Sequence, residues 1–334
     1  MIETEEKRIP EEENRAVIDA LSAEHATDGA PLPATPKKRG KLPRAVVAVV
    51  VGCLVLNTLM MATIAVLVVV RRGQQKAAAT STAETSVNEH EGEVYIEDNA
   101  LGGMWLKKSE RLNESRLDNG KFTKKNGFLT YEGAALGIDV SEFQTVTDWN
   151  AVKNAGVDFV MVRVGRRGYE LGKIVADTEC RRNIEGALSA GLDVGVYFFS
   201  QAVTSNEARE EARFVLDCIK EYDITYPVVF DWESTEKTEA RTYEITNDQL
   251  NAVARAFVDV VREGGYRPML YFYKYLGYWQ YVLDDFADCD FWLSEPGERP
   301  TFYYETAMWQ YTTEGSVPGV DGTVDVDICF TPYG

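Results

Sequence analysis

The chain has 334 residues, of which 35 are Lys or Arg and 53 are Asp or Glu, so its formal net charge is −18. This acidic balance argues against nucleic-acid binding, which depends on clustered basic side chains. Only two histidines are present, His25 and His90, and both precede the region that is patterned like a folded domain. A Ser-His-Asp triad and a His-ligated metal are therefore excluded from that domain.

The first 70 residues contain a polar segment and then a long apolar one. Residues 1–44 hold five of the eleven prolines and no apolar periodicity, which predicts a disordered tail. Residues 45–70 are 26 consecutive positions without a charge. At ~1.5 Å per residue they form a helix of ~39 Å, enough to cross the ~30 Å hydrocarbon core of a bilayer.

The flanking charges predict the orientation of this transmembrane helix. Five Lys or Arg residues lie within 37–44 and three within 71–76. The excess before the helix predicts a single-pass protein of the cell membrane with a cytoplasmic N-terminus and an extracellular C-terminal domain. The small polar residues after the helix predict an extracellular stalk or linker, which we place over residues 71–133.

From residue 134 onward the pattern is that of an α/β domain. Helical stretches end at Gly156, Gly191 and Gly265 and lead directly into apolar strands, which is the αβ connection of a parallel sheet. Five such units are followed, after residue 286, by three strands whose connections are too short for helices. Eight strands predict a (β/α)5β3 TIM-like barrel over residues 134–334. The alternative is an open doubly wound sheet, although no Gly-rich phosphate loop follows the first strand.

Acidic residues collect at the ends of the predicted strands: Asp139, Asp231, Glu233, Asp325 and Asp327. Asp231 and Glu233 are two positions apart, so in a strand they face the same side with Cα atoms ~6.6 Å apart. They follow a buried apolar run, where desolvation raises the pKa of a carboxyl group. Two such carboxyls are what glycoside hydrolysis requires. The alternatives are a structural pair bound to Arg163 and, for Asp139, a turn-forming side chain.

Four segments in this order resemble the glycoside hydrolase family 25 muramidases, which are lysozymes. They are GIDVSEFQ (137–144), GLDVGVYFFSQA (191–202), YPVVFDWE (226–233) and MWQYTTEGSVPGVDGTVDVDICF (308–330). The family's enzymes cleave the β-1,4 bond between N-acetylmuramic acid and N-acetylglucosamine in peptidoglycan. The resemblance implies a (β/α)5β3 barrel, peptidoglycan glycan strands as the binding partner, and no metal or organic cofactor.

The resemblance also implies a role for each candidate site residue. Glu233 would be the proton donor, and Asp231 would support the substrate N-acetyl group as an internal nucleophile. Asp139 and Asp325 would complete the acidic floor, with Asp327 as the alternative to Asp325. Four further side chains are expected to contact the substrate: Tyr197, Tyr271, Gln310 and Trp309.

Two alternatives to a muramidase remain open at this point: a wall-binding module that retains the cleft without turnover, and a chitinase-like enzyme acting on a different polymer. The cysteines also leave a choice. Four of them lie in the predicted barrel, and we hypothesise that Cys180 pairs with Cys218 and Cys289 with Cys329. Free buried thiols are the alternative.

Overall fold

The structure, a computed structural model, describes residues 90–98 and 102–333. The predicted tail (1–44), the predicted transmembrane helix (45–70) and the first part of the predicted stalk lie outside these residues. Within the described ranges, no helix is long and apolar enough to cross a membrane. The boundaries between tail, helix, stalk and barrel therefore stay predictions.

The described residues contain fifteen strands and four α-helices. The strands before the first helix are β1 (Glu93–Asp98), β2 (Gly102–Lys107), β3 (Phe122–Lys125), β4 (Phe128–Tyr131), β5 (Ala135–Val140) and β6 (Thr145–Val146). Then follow α1 (Trp149–Asn154), β7 (Phe159–Arg167), β8 (Ile174–Ala176), α2 (Cys180–Ser189), β9 (Asp193–Phe199), α3 (Ser205–Ile219), β10 (Val228–Asp231) and α4 (Asn247–Glu263). The last elements are β11 (Pro268–Tyr273), β12 (Asp290–Ser294), β13 (Met308–Gly315), β14 (Val320–Asp321) and β15 (Val324–Cys329).

Eight strands form a closed barrel in the order β5-β15-β13-β12-β11-β10-β9-β7, and β7 pairs with β5 to complete the ring. The two strands that flank β15 run antiparallel to it, whereas the other neighbours in the ring run parallel. The barrel therefore differs from a TIM barrel, in which all eight strands are parallel. The open doubly wound sheet is wrong, because the first and last barrel strands are hydrogen-bonded to each other.

The connections between strands are less regular than five βα units. Helices α1 to α4 follow β5, the β7–β8 hairpin, β9 and β10, whereas the connection after β11 contains only a π-helical turn (Leu276–Gln280) and a 3-10 turn (Leu283–Phe286). Residues 295–307 and 316–323 contain no helix, as their length predicts. Gly191 and Gly265 end their helices with φ of 74° and 85°, a conformation that favours glycine.

The barrel lumen is filled by every second residue of each strand, because successive side chains of a strand point to opposite faces. One apolar cluster, which includes Phe159, Met161, Met269 and Met308, fills the lower lumen. The residues between them face outward into a larger cluster shared with the helices. Cys180, Cys218, Cys289 and Cys329 are free thiols, which is the alternative to the hypothesised pairing.

The outer face that lacks helices is covered by the segment before the barrel. The Phe122 ring on β3 meets the Trp309 ring edge-on at 5.8 Å, and Tyr131 meets Phe330 at 5.3 Å. Phe128 and Leu129 are buried in the same cluster. These residues fall within the range 71–133 for which the sequence predicts a stalk, yet they pack against β13 and the end of β15, where α-helices pack elsewhere.

We therefore expect Phe122→Ala to lower the free energy of unfolding by about 2 kcal/mol, because it removes a half-buried ring from an apolar cluster. Urea-induced unfolding measures this change. Lys125→Ala, an exposed position on the same strand, is the control and should stay within about 0.5 kcal/mol of the parent. Equal stability of the two variants would show that the segment is only a linker.

Candidate active site

Polar residues replace apolar ones in the lumen at the carboxyl ends of the strands. Asp139 and Asp231 are the last or nearly the last residues of β5 and β10, and both are more than nine-tenths buried. Gln310 on β13 belongs to the same level and is 4% exposed. The two-residue alternation that fills the lower lumen thus carries these polar side chains into the mouth of the barrel.

The amide group of Gln310, on β13, hydrogen-bonds to residues on four other strands. Its Nε2 atom donates to Asp139 Oδ2 at 2.9 Å and to Asp325 Oδ2 at 3.5 Å. Its Oε1 atom accepts from Tyr271 Oη at 3.1 Å and from Ser294 Oγ at 2.8 Å. Both ends of the amide are satisfied, so the orientation of this buried side chain is fixed.

Asp139 and Asp325 face each other across β5 and β15 as direct partners in the antiparallel register. Burial and the charges of Asp327 and Asp325 raise the pKa of Asp139 well above its usual range. Burial and Glu233 raise the pKa of Asp325 to about 6. Like charges at opposed positions destabilise a sheet, and protonation of one carboxyl relieves the repulsion.

Asp327 lies deeper in the lumen than Asp325, because β15 runs antiparallel to β5. It is fully buried, and its Oδ1 atom accepts from the indole Nε1 of Trp292 at 2.9 Å. Burial and the charge of Asp325 raise its pKa. Asp327 therefore lies beneath the acidic floor, and Asp325 lies at the mouth.

Asp231 and Glu233 stand at the mouth on the other side of the lumen. Asp231 ends β10, and its Oδ1 atom is buried without a hydrogen-bond partner. Its pKa is raised by burial and by Glu233 and lowered by Arg163. Glu233 lies two residues beyond the strand, half-buried, and burial raises its pKa as well. Two carboxyls this close do not both ionise readily, so one holds a proton near neutral pH.

Arg163 on β7 does not form a structural ion pair with Asp231 or Glu233. Its Nε atom donates to Asp177 Oδ2 at 2.7 Å, and its Nη2 atom lies 3.1 Å from Glu142 Oε1. The guanidinium still acts on Asp231 through space by lowering the pKa of that carboxyl. The alternative of a structural pair bound to this arginine is not what the structure contains.

The predicted substrate-contacting residues separate into two groups. Tyr197 and Tyr271 both pack against Trp292 in the lumen, with ring centroids 6.1 and 5.0 Å from the indole. Together with Gln310 they are at the mouth with the carboxyls. Trp309 is not brought to the site: it is fully buried on the outer face and donates from Nε1 to Glu295 O at 2.8 Å. Because Gln310 faces inward, its neighbour must face outward.

Several contributing residues were not among the sequence candidates. Ser294 ends β12 and supports the Gln310 amide, and Trp292 supports Asp327. Asp177 anchors Arg163 from the loop after β8. The alternation within DFWLS could have indicated Trp292 and Ser294, since they share a face with each other. No local signal marks Asp177, because its role depends on a contact with another strand.

Curated proteins that are similar in sequence include two lysozymes. The autolytic lysozyme of Clostridium acetobutylicum is 27% identical over 192 residues, which are 57% of this chain and 54% of the relative. Lysozyme M1 of Streptomyces globisporus is 27% identical over 204 residues, which are 57% of this chain and 65% of the relative. The chain thus matches only about half to two thirds of the length of these relatives.

Among solved structures, the modular autolysin LytC of Streptococcus pneumoniae superposes with a TM-score of 0.52 at 23% identity, covering 74% of this chain and 58% of LytC. A second LytC structure, in complex with a synthetic peptidoglycan ligand, gives the same TM-score at 24% identity, with the same coverage of both chains. At this identity the likeness shows a shared fold.

The sequence profile of glycosyl hydrolases family 25 matches residues 138–320, which is more than half of the chain. The matched range begins beside Asp139 on β5 and includes Asp231, Glu233 and Gln310. It ends before β15. With the closed eight-stranded barrel and the carboxyls at its mouth, this match shows that the chain belongs to glycosyl hydrolase family 25.

Proposed function

We propose that this protein is a muramidase that cleaves the β-1,4 bond between N-acetylmuramic acid and N-acetylglucosamine in peptidoglycan. The observation that carries the proposal is the Asp231–Glu233 pair at the mouth of the barrel, where both carboxyls have raised pKa values and Asp231 Oδ1 has no protein partner. Membership of the family and the lysozyme names of the relatives support it.

In this proposal Glu233 is the general acid. It lies beyond the strand end and is half-buried, so it can reach a bound glycan while burial raises its pKa and favours its protonated form. It donates its proton to the glycosidic oxygen as the bond breaks. Asp231 acts in its ionised form, which the Arg163 guanidinium favours, and its carboxylate accepts from the N–H of the substrate N-acetyl group. That group then stabilises the positive charge that develops at the sugar carbon.

Asp139 and Asp325 bind the same sugar from the opposite side of the lumen. Gln310 holds both carboxyls through its amide hydrogens and accepts a hydrogen bond from Tyr271, while Tyr197 packs against Trp292 in the same lumen. When the two opposed carboxyls hold one proton between them, the protonated oxygen can donate a hydrogen bond to a sugar hydroxyl. The remaining carboxyl oxygens can accept hydrogen bonds from other hydroxyls. The protein is therefore proposed to need no metal or organic cofactor for this reaction.

We also propose that the barrel is displayed outside the cell by the apolar segment 45–70. The length of that segment and the excess of Lys and Arg before it support an anchor with a cytoplasmic N-terminus. The proposed substrate agrees with this orientation, since peptidoglycan lies outside the cell membrane.

Glu233→Gln should lower kcat on purified peptidoglycan by about 10³-fold, because the amide cannot supply a proton. Mass spectrometry of the products should show new reducing ends on N-acetylmuramic acid for the parent protein. Glu236→Gln, an exposed position on the same loop, is the matched control and should retain activity. Bound but uncut glycan with the parent would favour a binding module, and cleavage of chitin alone would favour a chitinase-like enzyme.

Arg163→Met should move the acid limb of the kcat/KM profile to higher pH. Asp231 acts in its ionised form, and loss of the guanidinium raises the pKa of Asp231, so a higher pH is needed to ionise it. The alkaline limb, which follows the proton of Glu233, should stay in place. Arg166→Met is the control. Arg166 also pairs with Glu142, at 3.7 Å, but only Arg163 lowers the pKa of Asp231. An acid limb that stays or moves to lower pH would contradict this role.

Protease added to intact cells should degrade the barrel and leave an epitope tag at the N-terminus intact. Cell fractionation should recover the full-length chain with the membranes, because the proposed transmembrane segment 45–70 would hold it there. Deletion of residues 45–70 should release the protein from that fraction. A digested tag beside an intact barrel would reverse the proposed orientation.

A further inference from the structure

Two aromatic surfaces stand exposed at the end of the barrel that carries the carboxyls. Phe143 follows β5 and is 75% exposed, which is unusual for a phenylalanine. Tyr275 and Trp279 follow β11 and are 43% and 37% exposed. Both β5 and β11 run in the same direction, and in the ring of eight strands they are four positions apart. The two surfaces therefore lie on opposite sides of the mouth.

Phe143 is held in its exposed position by a buried cation. The guanidinium of Arg163 lies 4.9 Å from the centre of the Phe143 ring, in a cation–π contact. Asp177 fixes this guanidinium at 2.7 Å and also accepts from the backbone N–H of Glu142 at 3.0 Å. One face of the ring rests on a rigid support, while most of the ring is open to solvent.

Tyr275 and Trp279 form a stacked pair, with centroids 5.4 Å apart and planes 27° from parallel. The pair stands on the π-helical turn after β11, a backbone form that is concentrated at functional sites. Asn247 Nδ2 donates to Trp279 O at 2.8 Å, which ties this turn to the start of α4. The edge of Trp279 also meets Tyr278, whose ring stacks on Phe302. This surface is likewise held in place.

The Asp231–Glu233 pair lies on β10 and just beyond it, inside the ring between these two surfaces. An eight-stranded barrel is about 15 Å across at its strands. A glycan that reaches from one rim to the other must therefore contain several sugar rings. The apolar C–H faces of a pyranose pack against aromatic rings, which remain solvated when no glycan is bound.

We propose that Phe143 and the Tyr275–Trp279 pair are outer sugar-binding surfaces that contact one glycan strand on the two sides of the bond to be cut. The proposal rests on the proposed function and extends it. It assigns the protein a preference for long glycan strands, bound along their length, over short fragments that reach only the carboxyls.

The experiment compares two substrates that differ in length: peptide-free glycan strands and the single N-acetylmuramic acid–N-acetylglucosamine disaccharide, whose two rings reach only the carboxyls. Phe143→Ala and Trp279→Ala should each lower kcat/KM on long strands by about five-fold through KM, as expected for loss of one aromatic contact. With the disaccharide both variants should stay within about two-fold of the parent, because the carboxyls are unchanged. Phe143→Tyr and Trp279→Phe should restore most of the activity on long strands.

Trp105→Ala is the matched control, since Trp105 on β2 is also an exposed tryptophan and contacts Tyr95. It should leave both substrates unaffected. An equal loss on both substrates would mean that the aromatic residues support the fold or the carboxyls, and would overturn the proposal. Unchanged activity of the alanine variants on long strands would overturn it as well.

Binding to catalytically inactive protein separates this proposal from the muramidase proposal. In the Glu233→Gln background, addition of Phe143→Ala or Trp279→Ala should raise the Kd for long strands by about five-fold. If the parent cuts neither substrate but this difference in Kd remains, the muramidase proposal fails and the sugar-binding surfaces stand. If the Kd does not change, the sugar-binding surfaces are ruled out whatever the activity.

Discussion

Closure of the eight-stranded sheet imposes one constraint from which the site follows: every second residue of each strand must occupy a lumen that has no solvent at its base. Phe159, Met161, Met269 and Met308 satisfy this constraint low in the barrel by filling space. One or two steps higher, the same faces carry Asp139 and Gln310, where the mouth opens to water. The strand alternation that makes the core thus also brings the polar groups to the open end of the barrel.

The crowding of carboxyls at this mouth is tolerated because their charges are compensated in several ways. The amide of Gln310 donates to Asp139 and Asp325, and protons neutralise part of the cluster, as the raised pKa values indicate. Arg163 contributes a single cation, which Asp177 and Glu142 hold beside the cluster and not within it. Asp231 consequently keeps a buried oxygen atom that no protein group hydrogen-bonds.

The jacket of the barrel is completed in two ways. Helices cover β7, β9, β10 and β11, whereas the segment before the barrel covers β13 with Phe122 and the end of β15 with Tyr131. Trp309, the sequence neighbour of Gln310, faces outward from β13 and packs against Phe122 of this covering segment. The connection after β11 contains a π-helical turn and a 3-10 turn in place of an α-helix, and the π-helical turn presents Trp279 at the rim, with Tyr275 directly before it.

The sequence by itself determined the number of barrel strands, the glycine-ended helices and the carboxyls at the strand ends, because these are local patterns of period, turn residue and composition. Only the tertiary structure decided which face each residue joins and what it meets there. Trp309 turned outward because the inward place belonged to Gln310, and Arg163 paired with Asp177 from a distant loop. The antiparallel course of β15 placed Asp325 above Asp327. Such outcomes depend on strand register and on contacts between remote segments, which no local pattern encodes.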